Sequence, residues 1–189
     1  MLPADPFRDQ PTLTGTKVTL KQLDARYIDD YLLMITDPQA LRLTGSHTSD
    51  PPGDPAVRRE KALTWLGSRP DQHDRADWAI LRNTDGRFVG EVVLNEYDED
   101  NESVSFRIML GPEEHFGHGY GTEATRLVIE YARNVVGLHR ISLHVYDFNP
   151  RARRVYEKCG FQAEGVLRDA LRWDGEWIDA VVMSIVAGR

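Results

Sequence analysis

The sequence predicts a mixed α/β domain built on one central sheet, and three features carry this prediction. Two apolar runs, Trp78–Arg82 and Phe88–Leu94, flank an Asp-Gly pair at 85–86, an arrangement typical of a β-hairpin. Val104–Ile108 alternates as a strand, an amphipathic helix follows, and Ile141–Val145 alternates again. A strand, helix and strand in this order need a parallel crossover, so the sheet mixes parallel and antiparallel pairs.

The first third of the chain contains one predicted strand, two helices and the longest predicted loop. Thr12–Leu23 is predicted as the first strand. Asp24 is a typical N-cap for a helix over Ala25–Ile35. The stretch Thr44–Pro55 is rich in Pro and Gly and predicts a mobile loop, either a plain surface loop or a flap over a site. A short helix over Ala56–Leu66 follows.

The second half adds two helices before the chain ends in strands. Apolar residues at helical spacing, among them Val128 and Val135, predict a helix over Thr122–Val135. Asn149 is a good cap for a second helix, and Gly160 suits its left-handed exit. Two strands close the chain, Gln162–Trp173 and Trp177–Val186. The prediction is therefore a sheet of about seven strands flanked by about four helices.

Length and charge limit the organisation and the partners. A chain of 189 residues suits one domain, 1–189, with residues 1–11 predicted as a flexible N-terminal arm. The chain has 23 basic and 30 acidic residues, a net charge of −7, which argues against non-specific binding to duplex nucleic acid. An acidic surface is compatible with a cationic substrate such as an amine, but charge alone favours a well-solvated surface without a special partner.

Two further absences in the sequence point to a cytoplasmic protein. No run approaches the roughly 20 apolar residues of a membrane span, and the N-terminus lacks the pattern of a secretory signal. The single cysteine, Cys159, excludes an intramolecular disulfide and a cysteine-rich zinc module. His115 and His118 have no clustered partners, so no metal site is predicted.

A glycine-rich loop between a strand and a long helix is the strongest candidate for a binding site. Three glycines at alternate positions, Gly117, Gly119 and Gly121, let the backbone approach a ligand closely. The helix N-terminus behind them favours an anion such as a diphosphate. A sharp turn that needs glycines for structure alone also explains the pattern.

Three nucleotide-type ligands compete for this loop. A Walker loop needs Gly-Lys-Ser/Thr, and no lysine lies between Lys61 and Lys158. A dinucleotide fold fits Gly119 and Gly121 with Asp147 as ribose acceptor, but the glycines come too late after the strand. Too little chain also remains for a doubly wound sheet. Acyl-coenzyme A is the third ligand, and the next segment favours it.

The segment Asn149–Phe161 follows the glycine loop by one helix and one strand. Together with Phe116–Ala124 it resembles the two signature motifs of the GCN5-related N-acetyltransferase (GNAT) superfamily, in particular the branch of the RimJ and RimL ribosomal-protein acetyltransferases. The segment Phe88–Glu91 and the ending Asp174–Ser184 also fit. The resemblance implies a GNAT fold, with a mostly antiparallel sheet and one splayed parallel pair. Phe116 stands where the superfamily usually has Arg or Gln.

The resemblance also implies where acetyl-CoA binds. The cofactor is expected in the gap between the strands of Val104 and Ile141, with its pantetheine arm on the backbone of Ile108, Met109 and Leu110. The Asn149 side chain is expected to bond the pantetheine end, in addition to capping its helix. The diphosphate is expected on the loop residues Phe116, Gly117, His118, Gly119, Tyr120, Gly121 and Thr122.

Tyr156 and Glu91 are the candidate catalytic residues. Helical spacing alone favours Tyr156 as a core residue, whereas the resemblance implies that its hydroxyl protonates the departing CoA thiolate. Glu91 is the candidate base, with an outward-facing strand residue as the alternative and a water relay as another route. Cys159 fits a small core residue better than a nucleophile, which favours direct transfer in a ternary complex.

The predicted function is an acetyl-CoA-dependent N-acetyltransferase that acts on a primary amine, with a protein N-terminus as the first acceptor. The first alternative is acetylation of a small amine, polyamine or antibiotic. The second alternative is a non-catalytic module that binds acetyl-CoA. A homodimer is a further expectation, while the identity of the acceptor is left open.

Overall fold

The structure, a computed structural model, describes residues 7–46 and 54–188. The described residues form one sheet of eight strands in the order β1-β2-β3-β4-β5-β6-β8-β7. The strands are β1 (Leu13–Thr14), β2 (Val18–Gln22), β3 (Ala76–Arg82), β4 (Phe88–Asp98), β5 (Ser103–Leu110), β6 (Arg140–Tyr146), β7 (Gln162–Trp173) and β8 (Glu176–Val186).

Five α-helices connect these strands within the described part of the chain. They are α1 (Ile28–Thr36), α2 (Pro38–Thr44), α3 (Pro55–Gly67), α4 (Tyr120–Tyr131) and α5 (Pro150–Lys158). Asp24 caps the 3₁₀ turn Ala25–Tyr27, which precedes α1. The helix α2 was not predicted, and the predicted mobile loop falls mostly on residues 47–53, outside the described residues.

The sheet is antiparallel throughout except at β5 and β6, which run parallel. Their register covers only Ser103–Ser105 of β5, and the last partners are Ser105 and Ser142. Beyond this point β5 continues to Leu110 and β6 to Tyr146 without pairing to each other. The mixed α/β architecture and the splayed parallel pair are therefore confirmed.

Two apolar cores lie on opposite faces of the sheet. On one face, α4 and α5 contribute residues such as Val128 and Tyr156, which pack with Phe106 and Trp78 of the strands. On the other face, α1, α2 and α3 pack on the strands, with Met34, Ala40 and Leu66 in their core, together with Met109 of β5. Alternation along each strand sends successive side chains to these two cores.

The first predicted strand is in fact two strands, and this difference explains why the sheet has eight strands where about seven were predicted. A tight turn at Gly15–Lys17 divides β1 from β2. The Glu123 carboxylate of α4 accepts hydrogen bonds from the backbone N–H groups of Thr16, Lys17 and Val18, at 3.1, 2.7 and 2.8 Å. A contact across more than 100 residues therefore fixes a turn that the alternation of Thr12–Leu23 could not reveal.

Phe7, within the predicted N-terminal arm 1–11, is fully buried and packs on Tyr97, with ring centroids 4.5 Å apart. One other expectation, at the end of α4, is wrong. Val135 does not continue the buried face of α4 and is 38% exposed. The helix changes to a π-helical turn over Ala132–Val136, which shifts the buried face after Tyr131.

Candidate active site

A cavity of about 620 Å³ occupies the split between β5 and β6, and we call it the central cavity. Its walls are the ends of these two strands, the glycine loop, the first turn of α4, and residues along the length of α2 and α5. The split exists because the two strands stop pairing after Ser105 and Ser142. Each strand beyond that point therefore presents an unpaired edge to the cavity.

The glycine loop forms one end of the central cavity. Gly117 and Gly119 have φ values of +83° and +85°, a left-handed conformation that side chains rarely adopt. A Cβ atom at Gly119 would lie 2.9 Å from Nζ of Lys17, which donates to the carbonyl oxygen of His118 at 2.9 Å. Since α4 begins at Tyr120, its N-terminus faces the ligand side of this loop.

The predicted cofactor contacts lie together, with one exception. His118 does not line the central cavity, because its ring stacks on Tyr120 and its Nε2 lies 3.1 Å from the carbonyl oxygen of Glu114. The residues that do line it are Ile108, Met109, Leu110, Phe116, Gly117, Gly119, Tyr120, Gly121, Thr122 and Asn149.

Two cations on α5 were missed by the sequence reasoning. Arg151 and Lys158 both line the central cavity. The guanidinium of Arg151 lies 4.6 Å from the ring centroid of Phe116, a cation–π contact that joins α5 to the glycine loop. Phe116, at the position where the superfamily usually has Arg or Gln, therefore provides an aromatic ring that contacts Arg151. Basic residues directly after the cap Asn149 were the signal for this contact.

Asn149 has both side-chain groups engaged within the protein. Its Oδ1 accepts from the N–H of Ala152 at 3.1 Å and caps α5. Its Nδ2 donates to the carbonyl oxygen of Leu43, at the end of α2, also at 3.1 Å. The helix cap expected from the sequence is confirmed, and the contact to α2 was not foreseen.

Tyr156 is a core residue that also borders the central cavity. It belongs to a core cluster and is 8% exposed, and its ring packs edge-on against Phe106 with centroids 6.1 Å apart. The same side chain also lines the central cavity. Burial, with a smaller effect of Cys159, holds the pKa of the Tyr156 hydroxyl above its usual value. The hydroxyl is therefore firmly protonated at neutral pH.

Glu91 faces the protein interior and not solvent. It is 7% exposed on β4, opposite Ala79 and Met109, and its Oε2 has no hydrogen-bond partner among the described residues. Burial, followed by the nearby charge of Asp77, raises the pKa of Glu91 to about 7. Arg107 is the largest opposing influence on this pKa. Glu91 does not line the central cavity and lies behind the wall that Met109 forms.

A buried ion pair that was not predicted stands beside Glu91. Arg75 and the fully buried Asp77 are joined by two hydrogen bonds, of 2.8 and 2.6 Å. The Asp77 charge is thereby held in place on the same face of the sheet as Glu91. The Asp77 charge therefore adds to the effect of burial in raising the pKa of Glu91, and the Arg75 charge opposes it.

Cys159 lies outside the lining of the central cavity. Its Sγ is 3.6 Å from the carbonyl oxygen of Thr122, and burial raises the pKa of the thiol. A thiol with a raised pKa is a poor nucleophile at neutral pH. Among the residues the structure describes, no group of three or more His, Cys, Asp or Glu side chains could hold a metal ion. No helix within these ranges is long and apolar enough to cross a membrane.

Comparison with known proteins identifies the family. The family model for the GNAT acetyltransferase domain matches residues 17–162. "Probable N-acetyltransferase YjcK" of Bacillus subtilis is 32% identical over 128 residues, which cover 68% of this chain and 71% of that protein. Spermidine N(1)-acetyltransferase of Vibrio cholerae is 31% identical over 118 residues, 62% of this chain and 68% of that protein.

A solved structure shows the same fold. Spermidine N-acetyltransferase from Vibrio cholerae in complex with CoA and spermine superposes with a TM-score of 0.77 at 23% identity. The superposition covers 91% of this chain and 96% of that chain. The chain belongs to the GNAT acetyltransferase family. It is therefore an acyltransferase.

Proposed function

We propose that this protein transfers an acetyl group from acetyl-CoA directly to a primary amine of a small molecule. The observation that carries the proposal is the central cavity, which is lined by an unpaired strand edge, a glycine loop and Tyr156. Cys159 does not line this cavity, which favours direct transfer over a covalent acyl-enzyme.

A polyamine is the first acceptor class to consider. The support comes from relatives, since spermidine acetyltransferases of Vibrio cholerae and Escherichia coli are both 31% identical over the matched region. They favour a small amine over the protein N-terminus that the RimJ and RimL resemblance suggested. The net charge of −7 is compatible with attraction of a cationic acceptor.

The residues around the cavity fit the parts of acetyl-CoA. The edge of β5 from Ile108 to Leu110 has free backbone groups toward β6, which suit the amides of a pantetheine arm. The backbone N–H groups of the glycine loop and the N-terminus of α4 suit the diphosphate. Arg151 adds a positive charge beside this loop.

Tyr156 is proposed as the general acid of the reaction. The acceptor nitrogen forms a bond to the thioester carbonyl carbon, and the carbon–sulfur bond breaks. The departing sulfur then takes the proton of the Tyr156 hydroxyl. The raised pKa of this hydroxyl keeps the proton available until charge develops on the sulfur.

Glu91 is proposed as a base that acts through water. Its place behind Met109 leaves no direct contact with a ligand in the central cavity. Its pKa of about 7 suits a group that accepts and releases protons at neutral pH. Its neighbour Arg107 lines the cavity and connects the two regions electrostatically.

A panel of amines tests the proposed function. Purified protein is incubated with acetyl-CoA and, in turn, spermidine, an aminoglycoside and a peptide with a free N-terminus, and free thiol is measured. We expect amine-dependent thiol release, fastest with spermidine. Release only with the peptide would contradict the small-amine proposal, and binding of acetyl-CoA without release on any amine would indicate a non-catalytic module.

Location and assembly complete the proposal. A cytoplasmic enzyme fits the availability of acetyl-CoA, and a homodimer would use the exposed apolar side chains Val166, Leu167 and Trp177 on β7 and β8. Light scattering at micromolar concentration measures the mass, for which two chains of 21.5 kDa are expected.

A further inference from the structure

The central cavity contains a proton-accepting side chain that the steps above do not use. Within the described residues, no Asp or Glu lines this cavity, whereas two histidines do, His115 and His144. His115 follows the outer end of β5, where it is buried beside the glycine loop. His144 is exposed and lies on β6 itself, close to the point where the strands separate.

The strand register places His144 opposite a second cavity residue. Ser105 and Ser142 are the last parallel partners of β5 and β6. Arg107 and His144 each lie two residues further along, so both side chains are on the same face of the sheet, one on each arm of the split. Phe106, which packs on Tyr156, points to the opposite face. Tyr156 therefore lies on one face of the split and the His144 imidazole on the other.

We propose that His144 contacts the acceptor amine and takes its proton during acetyl transfer. This inference rests on the proposed function and adds the group that receives the proton directly. The amine nitrogen forms the bond to the carbonyl carbon, and its proton moves to a ring nitrogen of His144. The carbon–sulfur bond breaks and the sulfur takes the proton of Tyr156. Water then returns the proton from His144 to Tyr156, so both groups regain their starting states.

The surroundings of His144 suit this role. No hydrogen bond or ion pair engages its ring within the described ranges, so both ring nitrogens are free for a ligand. Its antiparallel partner on β8 is Val182, an apolar residue. The charged and titratable residues that line the central cavity with His144 are Arg107, His115, Tyr120, Tyr146, Arg151, Tyr156 and Lys158. A neutral imidazole ring has one nitrogen with a free lone pair, which can accept a proton from the amine.

The first measurement compares His144→Gln with the wild-type protein on the best amine of the panel. We expect kcat/KM for the amine to fall about 10²-fold, within the range of positioned proton acceptors. The Kd for acetyl-CoA should stay within about two-fold, because the glycine loop is untouched. His139→Gln is the matched control, since His139 is exposed and lies outside the central cavity. Activity of His144→Gln within two-fold of wild type would overturn the proposal.

Chemical rescue separates His144 from Glu91. His144→Ala removes the ring, and imidazole added to the assay should raise kcat/KM of this variant about ten-fold, because a free imidazole can take the same place and accept the same proton. Glu91→Gln, whose side chain lies outside the central cavity, should gain nothing from added imidazole. Absence of any gain in folded His144→Ala would overturn the assignment. Failure of the wild-type protein to acetylate any amine would instead contradict the proposed function.

Discussion

The Nδ2 group of Asn149 donates to the carbonyl oxygen of Leu43 at 3.1 Å, which joins the start of α5 to the end of α2. The same side chain caps α5 through Oδ1. One residue therefore holds together the helix that carries Tyr156 and a helix of the opposite layer. Both helices line the central cavity, so this hydrogen bond joins two parts of its wall.

Replacement of Asn149 separates these two contacts. Asn149→Ala removes both, and loss of a helix cap costs about 1 kcal/mol, or about 2–4 °C in Tm for a chain of this size. Asn149→Ser keeps a capping oxygen but is too short to reach Leu43, so its Tm should lie nearer to wild type. Thermal unfolding of the three proteins checks this order. Equal losses in both variants would assign the stability to the Leu43 contact.

Binding of acetyl-CoA should stabilise the folded protein. At about 100 times Kd, a ligand adds about 2.7 kcal/mol to the free energy of unfolding. Gly119→Glu should abolish this gain, because a side chain is strained at φ +85° and a carboxylate repels the diphosphate. Thermal shifts with and without acetyl-CoA measure the gain. Gly67→Ala is the control, since a Cβ there meets no atom within 4 Å, and an equal shift in Gly119→Glu would contradict the loop assignment.

Tyr156→Phe tests the general acid. The variant retains the packing on Phe106 and removes only the hydroxyl, so kcat should fall about 10²–10³-fold while the Kd for acetyl-CoA changes little. Steady-state kinetics and binding on the same preparation give both numbers. Tyr97→Phe, outside the central cavity, should keep full activity. Unchanged kcat in folded Tyr156→Phe would show that another group protonates the sulfur.

Glu91 should make stability depend on pH in a defined direction. Its pKa rises from 4.5 unfolded to about 7 folded, so the folded state binds more protons between these values. The contribution of Glu91 to the free energy of unfolding is therefore fully present below pH 4.5, and it decreases by about 3 kcal/mol as the pH rises to about 7. Urea unfolding from pH 5 to 8 measures this decrease, which should be absent in Glu91→Gln and present in the exposed control Glu130→Gln. A decrease that persists in Glu91→Gln would assign it to another group.

Local patterns were sufficient for most elements of the fold. The Asp-Gly turn does lie between β3 and β4, and Asn149 and Gly160 do bound α5, because turns and caps depend on neighbouring residues. The parallel pair of β5 and β6 followed from the helix between them. The sequence also placed the glycine loop at the start of α4 by the same kind of local signal.

Contacts between distant segments were decided by the tertiary structure alone. The Glu123 carboxylate holds the turn between β1 and β2, and Phe7 packs in the core on the side of α4 and α5. The Asn149 amide donates a hydrogen bond to Leu43. Sequence spacing carries no signal for such pairs, since they depend on how whole layers pack. The same holds for the chemistry of the site. Burial raises the pKa of Glu91, and the point at which β5 and β6 stop pairing decides that His144 lines the cavity. Both effects depend on strand register and on depth within the protein, which exist only once the sheet is assembled.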